Sequence, residues 1–370
     1  MTNEMHDKFM ARALNLARQG YGRVSPNPLA GAVIVKNNEV IGEGYHHQFG
    51  GEHAEISAIA DATESCRGAT IYINLEPCCH EGKTPPCVDA ILQHKFSQVV
   101  IAMRDLNPLT DGKSVQKLQA AGVEVIEGIL QREAEEMNAP FIKLVKTGKP
   151  YVIAKWAMTM DGKIATKTGD SKWISSESAL DYGHQLRNEV DAVMVGLGTV
   201  LKDDPLLTCR RIPDGRNPLR IIFDSRAKLP GGFKILKTAP EVTTYVVVTD
   251  EAKDSAINRL EAAGCKILRT PSRFGLVDVD QALKSLAAQD IGIVMIEGGS
   301  KLLGSAFDLQ EVDELVILLA PKLIGGHGGL PPIGGSGRKA IADAIRIGDL
   351  KIQHLGADLV LRGKVSYQPD

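Results

Sequence analysis

The chain has 370 residues, of which 44% are hydrophobic and 24% are charged, so it is long enough for about two domains of ordinary globular composition. Its formal net charge is -2, and residues 1–147 carry 14 Lys and Arg against 18 Asp and Glu, which argues against a dedicated nucleic-acid-binding protein. The first residues lack a secretion signal, and the apolar runs are far shorter than the ~20 residues of a membrane helix. We therefore expect a cytoplasmic protein with small-molecule partners, and neither nucleic acid nor membrane among them.

The first part of the chain alternates helical and strand patterns, which is typical of a three-layer α/β domain around a mixed sheet. Helices are predicted at 5–19, 53–62, 87–95, 112–122 and 130–146. A hairpin is predicted at 30–46, with its turn at Asn37 and Asn38, and further strands at 69–78, 97–105 and 123–129.

A domain boundary is predicted in the sequence KTGKP at 146–150, where a glycine and a proline follow a helix and precede a strand. We expect one domain at 1–147 and a second at 148–370. The second is again α/β, with at least six strands among the segments 151–165, 180–196, 219–225, 244–250, 265–270, 291–299 and 315–326.

The strongest functional signal combines His53 and Glu55 of the sequence HAE with Cys78 and Cys87. Clustered cysteines in a reducing cytoplasm more often bind metal than form disulfides. Catalytic zinc takes three protein ligands and leaves a fourth position for water, whose pKa it lowers towards neutrality. One histidine and two thiolates supply that set, Glu55 is placed to carry protons, and the pattern is the signature of zinc deaminases. A purely structural site would prefer a fourth protein ligand and would not need Glu55.

The spacing of the two cysteines departs from that signature, because eight residues rather than two separate Cys78 from Cys87. The inserted residues must loop out and return. Cys87 is then predicted at the start of a helix, where the helix dipole favours a thiolate. Cys79 is not expected to join Cys78 on one tetrahedral ion, since consecutive side chains usually point apart.

The second domain carries weaker signals. The dinucleotide fingerprint fails, because Gly196 and Gly198 are followed by Leu201 rather than a third glycine. Gly298 and Gly299 fit either a phosphate-binding turn or an ordinary tight turn before a helix. Lys155 lies within the apolar run YVIAKWAM. Such a lysine is exposed at the edge of a sheet, belongs to a structural ion pair, or has a functional role together with Glu297.

The segments SPNPLAGAVIV, HAE, NLEPCCHEGKTPPC and RDLNP together resemble the deaminase domain of the bifunctional deaminase–reductase family of riboflavin biosynthesis. The segments KWAMTMDGKIA, SKWIS, DDPLLT, FDS, IEGGSKL and LAPKLIGG resemble its reductase domain. The resemblance implies a cytidine-deaminase-like domain followed by a dihydrofolate-reductase-like domain, which binds NADPH without the usual fingerprint. From the size of the chain and its two open sheets, we expect a dimer or tetramer of identical chains.

For the first domain, the resemblance implies hydrolysis of a pyrimidine amino group, with one zinc ion per chain held by His53, Cys78 and Cys87 and protons carried by Glu55. The implied substrate residues are Asn27, Lys83, Thr84, Asp105 and Asn107. Two residues depart from the family pattern, since Cys79 stands where serine is frequent and Leu106 where proline is frequent.

For the second domain, the resemblance implies reduction of a ribosyl group to a ribityl group by NADPH. The implied NADPH residues are Ala157, Trp173, Thr199, Asp203, Ser225, Gly299, Ser300, Lys301, Leu302, Leu303, Gly304 and Ser305. The implied substrate residues are Ser171, Arg187, Leu207, Arg210 and Glu297. We expect Lys155 and Glu297 to form a proton relay to the sugar ring oxygen.

Two other functions are open on the sequence alone. A deaminase acting on bases of nucleic acids would need a basic groove and stacking aromatic residues, but aromatic residues make up only 5% of this chain. A non-catalytic zinc scaffold would need a closed site with four ligands.

Overall fold

The computed structural model describes residues 3–81, 85–107 and 110–367. The chain divides into two compact units, Met1–Lys149 and Pro150–Asp370, and this division lies close to the predicted boundary after residue 147. Within the described residues, none of the helices has the length and apolar character that crossing a membrane would require.

The first unit is built from six helices and five strands in its described residues. The helices are α1 (Asn3–Ala17), α2 (Ala54–Asp61), α3 (Cys87–Gln93), α4 (Lys113–Ala120), α5 (Gln131–Met137) and α6 (Ala139–Thr147), with a 3-10 turn at Arg18–Gly20. The strands are β1 (Gly31–Lys36), β2 (Glu39–Tyr45), β3 (Thr70–Leu75), β4 (Gln98–Met103) and β5 (Glu124–Glu127).

These strands form one mixed sheet in the order β2-β1-β3-β4-β5, in which β1 is antiparallel to β2 and β3, and β3, β4 and β5 are parallel. Successive side chains of a strand point to opposite faces, so each strand feeds two cores. Ala32 and Ile34 pack in the core that contains Ala58 of α2, whereas Val33 and Val35 pack in the core that contains α1. The predicted three-layer arrangement is therefore confirmed.

The helix predicted at 130–146 is wrong in one respect, because it is interrupted at Asn138. Pro140 lies in the first turn of α6, where its missing N–H costs nothing, but within a continuous helix it would remove a hydrogen bond. The break leaves the buried Asn138 side chain to accept a hydrogen bond from the Leu29 N–H at 2.8 Å.

The second unit also combines helices with a large sheet. Its helices are α7 (Glu177–Glu189), α8 (Leu197–Asp203), α9 (Lys234–Lys237), α10 (Asp254–Ala262), α11 (Val279–Ala287) and α12 (Ser300–Asp308), with a 3-10 turn at Ile341–Asp343. Its strands are β6 (Tyr151–Thr159), β7 (Ala192–Gly196), β8 (Leu219–Phe223), β9 (Thr244–Val248), β10 (Lys266–Arg269), β11 (Ser272–Arg273), β12 (Leu276–Val277), β13 (Ile293–Glu297), β14 (Glu314–Ala320), β15 (Arg346–Leu355) and β16 (Asp358–Ser366).

The main sheet has the order β10-β9-β8-β7-β13-β6-β14-β16-β15. The strands from β10 to β14 in this order are parallel, and β16 and β15 extend the sheet as antiparallel strands. In parallel α/β sheets, ligands bind beyond the carboxyl ends of the strands. Here the carboxyl ends of β6, β7 and β13 are neighbours, and the candidate reductase residues lie there.

Two features of this unit differ from the sequence prediction. The strand predicted at 151–165 ends at Thr159, because Gly162 has a φ of 73° and closes a turn in which Lys163 N–H donates to Thr159 Oγ1 at 3.1 Å. The hairpin of β15 and β16 is not among the predicted elements, because most residues of β15 are exposed and its sequence lacks a continuous apolar run.

Candidate active sites

Three side chains of the first unit converge as a metal-ligand cluster. His53 precedes α2, Cys78 follows β3, and Cys87 is the first residue of α3; the candidate ligand atoms of these three residues lie within 4.8 Å of one another. His53 Nδ1 is 3.2 Å from Cys87 Sγ and 3.5 Å from Cys78 Sγ. These separations fit nitrogen and sulfur atoms that share one ion at bond lengths of about 2.0–2.3 Å. Zinc is therefore compatible with the donor set that the fold assembles.

Hydrogen bonds from Cys87 favour a thiolate at Cys78. The Cys87 N–H donates to Cys78 Sγ at 3.3 Å, and the Val88 N–H donates to the Cys78 carbonyl at 3.2 Å. The hydrogen bond from the Cys87 side chain, with smaller contributions from His53 and the Cys87 N–H, lowers the pKa of the Cys78 thiol to about 4 against the opposing effect of burial. The same pairing raises the pKa of the Cys87 thiol. A deprotonated cysteine is the form that binds metal.

Glu55 lies in the first turn of α2, two residues after His53, and its residue exposure is only 4%. Its carboxyl group is within hydrogen-bonding reach of the Cys87 side chain. Burial, together with the negative charge of Cys78, raises the pKa of Glu55. A carboxyl group in that position can take up and release a proton beside the metal-ligand cluster.

Asn27 lies on a loop that several buried side chains hold in place. The Asn74 side chain accepts from the Gly31 N–H at 2.7 Å and donates to the Leu29 carbonyl at 2.8 Å. His46 Nδ1 lies 2.8 Å from the Glu52 carbonyl oxygen, and because that oxygen can only accept, Nδ1 carries the ring proton. His46 Nε2 therefore accepts a hydrogen bond from Asn27 Nδ2 at 3.1 Å. The Asn27 carbonyl oxygen is thereby oriented away from His46.

The loop that carries Asp105 and Asn107 is held by Glu76, a buried residue that the sequence analysis did not single out. Glu76 accepts hydrogen bonds from the N–H groups of Asp105, Gly112 and Ser114 at 3.3, 3.0 and 3.2 Å. Because Pro77 and Cys78 follow Glu76 directly, this loop is tied to the segment that carries a metal ligand. Burial raises the pKa of Asp105.

Two of the predicted substrate residues, Lys83 and Thr84, lie outside the described residues. The described part of the insert includes His80, whose Nδ1 is 3.3 Å from Thr110 Oγ1.

In the second unit, Glu297 forms ion pairs with two cations. Glu297 and Lys155 are direct partners in the parallel pairing of β13 and β6, and Lys155 Nζ lies 2.8 Å from Glu297 Oε1. Arg187 of α7 donates through Nε and Nη2 to the two Glu297 oxygens at 2.9 and 2.8 Å, and its Nη1 donates to the Thr208 carbonyl. We call Lys155, Arg187 and Glu297 the ion triad.

The triad keeps Glu297 ionised. Burial alone would raise the pKa of Glu297, but the charges of Arg187 and Lys155 outweigh this effect and hold the pKa well below its usual range. Helix α7 leaves room for Lys155 at Gly183, where a Cβ atom would lie 3.5 Å from Lys155 Nζ. Glu297 is thus a fixed anion.

Two cavities of about 950 and 410 Å³ share Lys155 and Glu297 in their walls. The larger is lined by these two residues and, among the other predicted site residues, by Ala157, Ser171, Trp173, Arg187, Asp203, Leu207 and Arg210. The smaller is lined by Lys155, Glu297, Ala157, Ser171, Thr199, Asp203, Gly299, Ser300, Lys301 and Leu302. Most of the predicted residues of the second unit therefore surround one pair of adjoining cavities.

The wall of the smaller cavity suits an anionic group. Gly298 and Gly299 both have positive φ values, 81° and 88°, in the turn between β13 and α12, and a Cβ atom on Gly299 would lie 3.1 Å from Thr199 Oγ1. Lys202 and Lys301 also line this cavity. Exposed helix N–H groups together with lysines are a common phosphate-binding arrangement.

Four of the predicted NADPH residues do not line either cavity. Leu303 is fully buried in the hydrophobic core, and a Cβ atom on Gly304 would collide with the backbone of Gly334. Ser225 Oγ accepts from the Val277 N–H at 3.1 Å, and Ser305 also lies away from the cavity walls.

Both units of the chain match families of known proteins. Residues 3–103 match the family model of the cytidine and deoxycytidylate deaminase zinc-binding region, and residues 150–361 match that of the RibD C-terminal domain. The riboflavin biosynthesis protein RibD of Actinobacillus pleuropneumoniae is 41% identical, over 95% of this chain and 93% of that protein. The protein of the same name from Aquifex aeolicus is 41% identical, over 98% of this chain and 99% of that protein.

A solved structure from Thermotoga maritima is 37% identical, covers 98% of this chain and 99% of that chain, and superposes with a TM-score of 0.86. It is described as a diaminohydroxyphosphoribosylaminopyrimidine deaminase/5-amino-6-(5-phosphoribosylamino)uracil reductase.

The fold and the two sites thus define a bifunctional enzyme, in which a zinc-dependent, cytidine-deaminase-like unit precedes an NADPH-dependent, dihydrofolate-reductase-like unit. The chain belongs to the RibD family of riboflavin biosynthesis. The family and the fold class predicted from the sequence are confirmed.

Proposed function

We propose that residues 1–147 deaminate 2,5-diamino-6-(5-phosphoribosylamino)pyrimidin-4(3H)-one and that residues 148–370 reduce the product, 5-amino-6-(5-phosphoribosylamino)uracil, to its ribityl form. The observation that carries the proposal is the convergence of His53, Cys78 and Cys87 beside the buried Glu55. The ion triad at the wall of both cavities supports the reductive step.

In the deaminase site, His53, Cys78 and Cys87 would hold zinc, which supplies an activated water when bound. Glu55 takes a proton from that water and passes protons to the departing amino group, which leaves as ammonia. Asn27 holds the pyrimidine ring through its carbonyl oxygen, since its amide nitrogen is used by His46. Asp105 and Asn107, with Lys83 and Thr84, meet the ribosyl phosphate side.

In the reductase site, NADPH bound along Ala157, Thr199, Asp203 and the start of α12 would supply a hydride to C1′ of the sugar. Lys155 donates a proton to the sugar ring oxygen as the ring opens, because Glu297 stays ionised and cannot act as the acid. Arg210 is suited to the substrate phosphate, since a guanidinium group matches phosphate oxygens. Arg187 contributes to the reaction mainly by holding Glu297, whose two carboxylate oxygens accept hydrogen bonds from Nε and Nη2 of its guanidinium group.

The proposal is tested with Glu55→Gln in the full chain, because this change removes the proton carrier and retains the size of the side chain. Ammonia release from the diaminopyrimidine should fall by at least about a hundredfold, whereas NADPH oxidation with the deaminated substrate should stay unchanged. Glu39→Gln, on the exposed start of β2, is the matched control. Loss of both activities in Glu55→Gln would refute the model of two separate sites.

We also propose that the chain forms a homo-oligomer, through the exposed outer strand β15. This strand is ten residues long, lies at the edge of the sheet, and exposes Leu350 and Ile352, a combination that invites pairing with another strand. Light scattering should give a multiple of the chain mass, and Ile352→Lys should reduce it; an unchanged mass for the variant would exclude β15 as the interface.

A further inference from the structure

His184 is a buried polar residue of α7 that lies on the cavity side of the helix. Leu180, Gly183, His184 and Arg187 are spaced as neighbours on one helix face, and all of them line the larger cavity. His184 has an exposure of only 6%. The helix therefore presents an imidazole ring to the same space as the ion triad.

The tautomer of His184 is set by a backbone hydrogen bond. The Arg210 N–H donates to His184 Nδ1 at 3.0 Å, so Nδ1 carries the lone pair and the proton of the neutral ring lies on Nε2. In the described part of the chain, Nε2 has no hydrogen-bond partner and is not sealed from solvent. Nε2 is therefore the polar atom of His184 that is available to a ligand in the larger cavity, which this residue lines.

The charges around His184 keep the ring neutral. Burial, followed by the positive charges of Arg187 and Arg210, lowers the pKa of His184 to about 4. A neutral ring with its proton on Nε2 is a hydrogen-bond donor without a charge. Its natural partner is an oxygen atom of a ligand.

The position of His184 indicates which part of a ligand it meets. Gly183 precedes it and lies against Lys155 Nζ, whereas Arg210 is bonded to its other ring nitrogen. His184 therefore lies next to the helix position that faces the proposed proton donor to the sugar, and next to the backbone of the proposed phosphate-binding arginine. An oxygen between those two groups belongs to the phosphoribosyl arm.

We propose that His184 Nε2 donates a hydrogen bond to a hydroxyl or phosphate oxygen of the phosphoribosyl arm of the reductase substrate. The proposal rests on the proposed function of the second unit. It assigns His184 a binding role in addition to its support of the Arg210 backbone.

Two substitutions separate these roles, because asparagine and glutamine each replace one ring nitrogen. In His184→Asn, the amide oxygen can replace Nδ1 as the acceptor for Arg210, but the donor at Nε2 is lost. In His184→Gln, the amide nitrogen can replace Nε2 as the donor towards the cavity. Gln185→Asn, at the next and exposed position of α7, is the control for changes to the helix.

In the full chain, we expect His184→Asn to raise KM for the phosphoribosylaminouracil roughly tenfold, with a smaller change in kcat and no change in KM for NADPH. His184→Gln should stay within about threefold of the unchanged chain. With a dephosphorylated substrate, the His184→Asn defect should disappear if phosphate is the acceptor and persist if a sugar hydroxyl is. Both results support the proposal.

Normal kinetics of His184→Asn with impaired His184→Gln would overturn the proposal, since His184 would then serve only the Arg210 backbone. Equal impairment of both variants, with melting temperatures like that of the unchanged chain, would overturn it as well. Absence of NADPH oxidation by the unchanged chain would instead refute the proposed function itself.

Discussion

The buried glutamates Glu55 and Glu297 show how the surroundings of one side chain type give two chemical roles. Burial raises the pKa of Glu55, which has a negatively charged neighbour in Cys78. Burial acts in the same direction on Glu297, but two adjacent cations reverse the outcome. A carboxyl group that is easily protonated suits proton transfer, whereas a fixed carboxylate suits the positioning and charging of Lys155.

The sequence identifies the surroundings of Glu55 better than those of Glu297. His53 and Glu55 are two residues apart at the start of α2, so a local sequence motif predicts that they lie close together. Arg187 and Glu297 are separated by 110 residues and meet only through the packing of α7 on the sheet. No local pattern marks such a pair, and the resemblance implies Arg187 only as a substrate residue.

Replacing Glu297 by glutamine should destabilise the second unit in a pH-dependent way. Its pKa is lowered by folding, so its contribution to stability is complete above the unfolded value of about 4.3 and is lost as the pH falls below it. At pH 7, Glu297→Gln leaves Lys155 and Arg187 unpaired and should lower the free energy of unfolding by about 3–5 kcal/mol.

The measurement is urea unfolding of both chains between pH 7 and pH 3, where the difference between them should shrink below about pH 4. Glu177→Gln, whose side chain is 87% exposed, is the control and should be nearly neutral. A difference that stays constant down to pH 3 would contradict the ion-triad account.

At the level of helices and strands, the sites depend on how closely helices approach the sheets. Continuous apolar runs separated by helical patterns predicted most elements of both units, because a strand between two layers of helices needs apolar side chains on both faces. They failed where tertiary contacts decide, as at Asn138, whose side chain is required by the loop at Leu29. The hairpin of β15 and β16 escaped prediction because β15 is mostly exposed and has no continuous apolar run.

Gly44 is the position where this close approach matters most for the metal ligands. A Cβ atom there would lie 2.6 Å from the Ala54 carbonyl, at the start of the helix that follows His53. Gly44→Ala should therefore displace α2 and lower the free energy of unfolding of the first unit by about 1–3 kcal/mol. Zinc content and deaminase activity should fall together.

Gly231→Ala is the matched control, since a Cβ atom at Gly231 meets nothing within 4 Å and its φ is not positive. The measurements are thermal unfolding, metal content and both activities of each variant. Full zinc content in a stable Gly44→Ala chain would show that α2 can shift without moving His53.

At the scale of the whole chain, the described residues form two units with separate hydrophobic cores, and the metal-ligand cluster belongs entirely to the first. The ion triad and both cavities belong entirely to the second. Each unit contains all the residues of its own site. The sequence motifs of one unit therefore predict one activity without reference to the other unit.

Removal of zinc should consequently affect one unit alone. A ligand that binds only the folded state stabilises it by about 4 kcal/mol when its concentration is a thousand times its dissociation constant. Removing the metal from His53, Cys78 and Cys87 should therefore lower the unfolding temperature of the first unit. Deaminase activity should disappear, while NADPH oxidation and the unfolding of the second unit stay unchanged. The measurement is calorimetry and both assays on the full chain before and after chelation, with zinc added back as the control. Parallel loss of the reductase activity would show that the second unit depends on the metal, and that the two units are not independent.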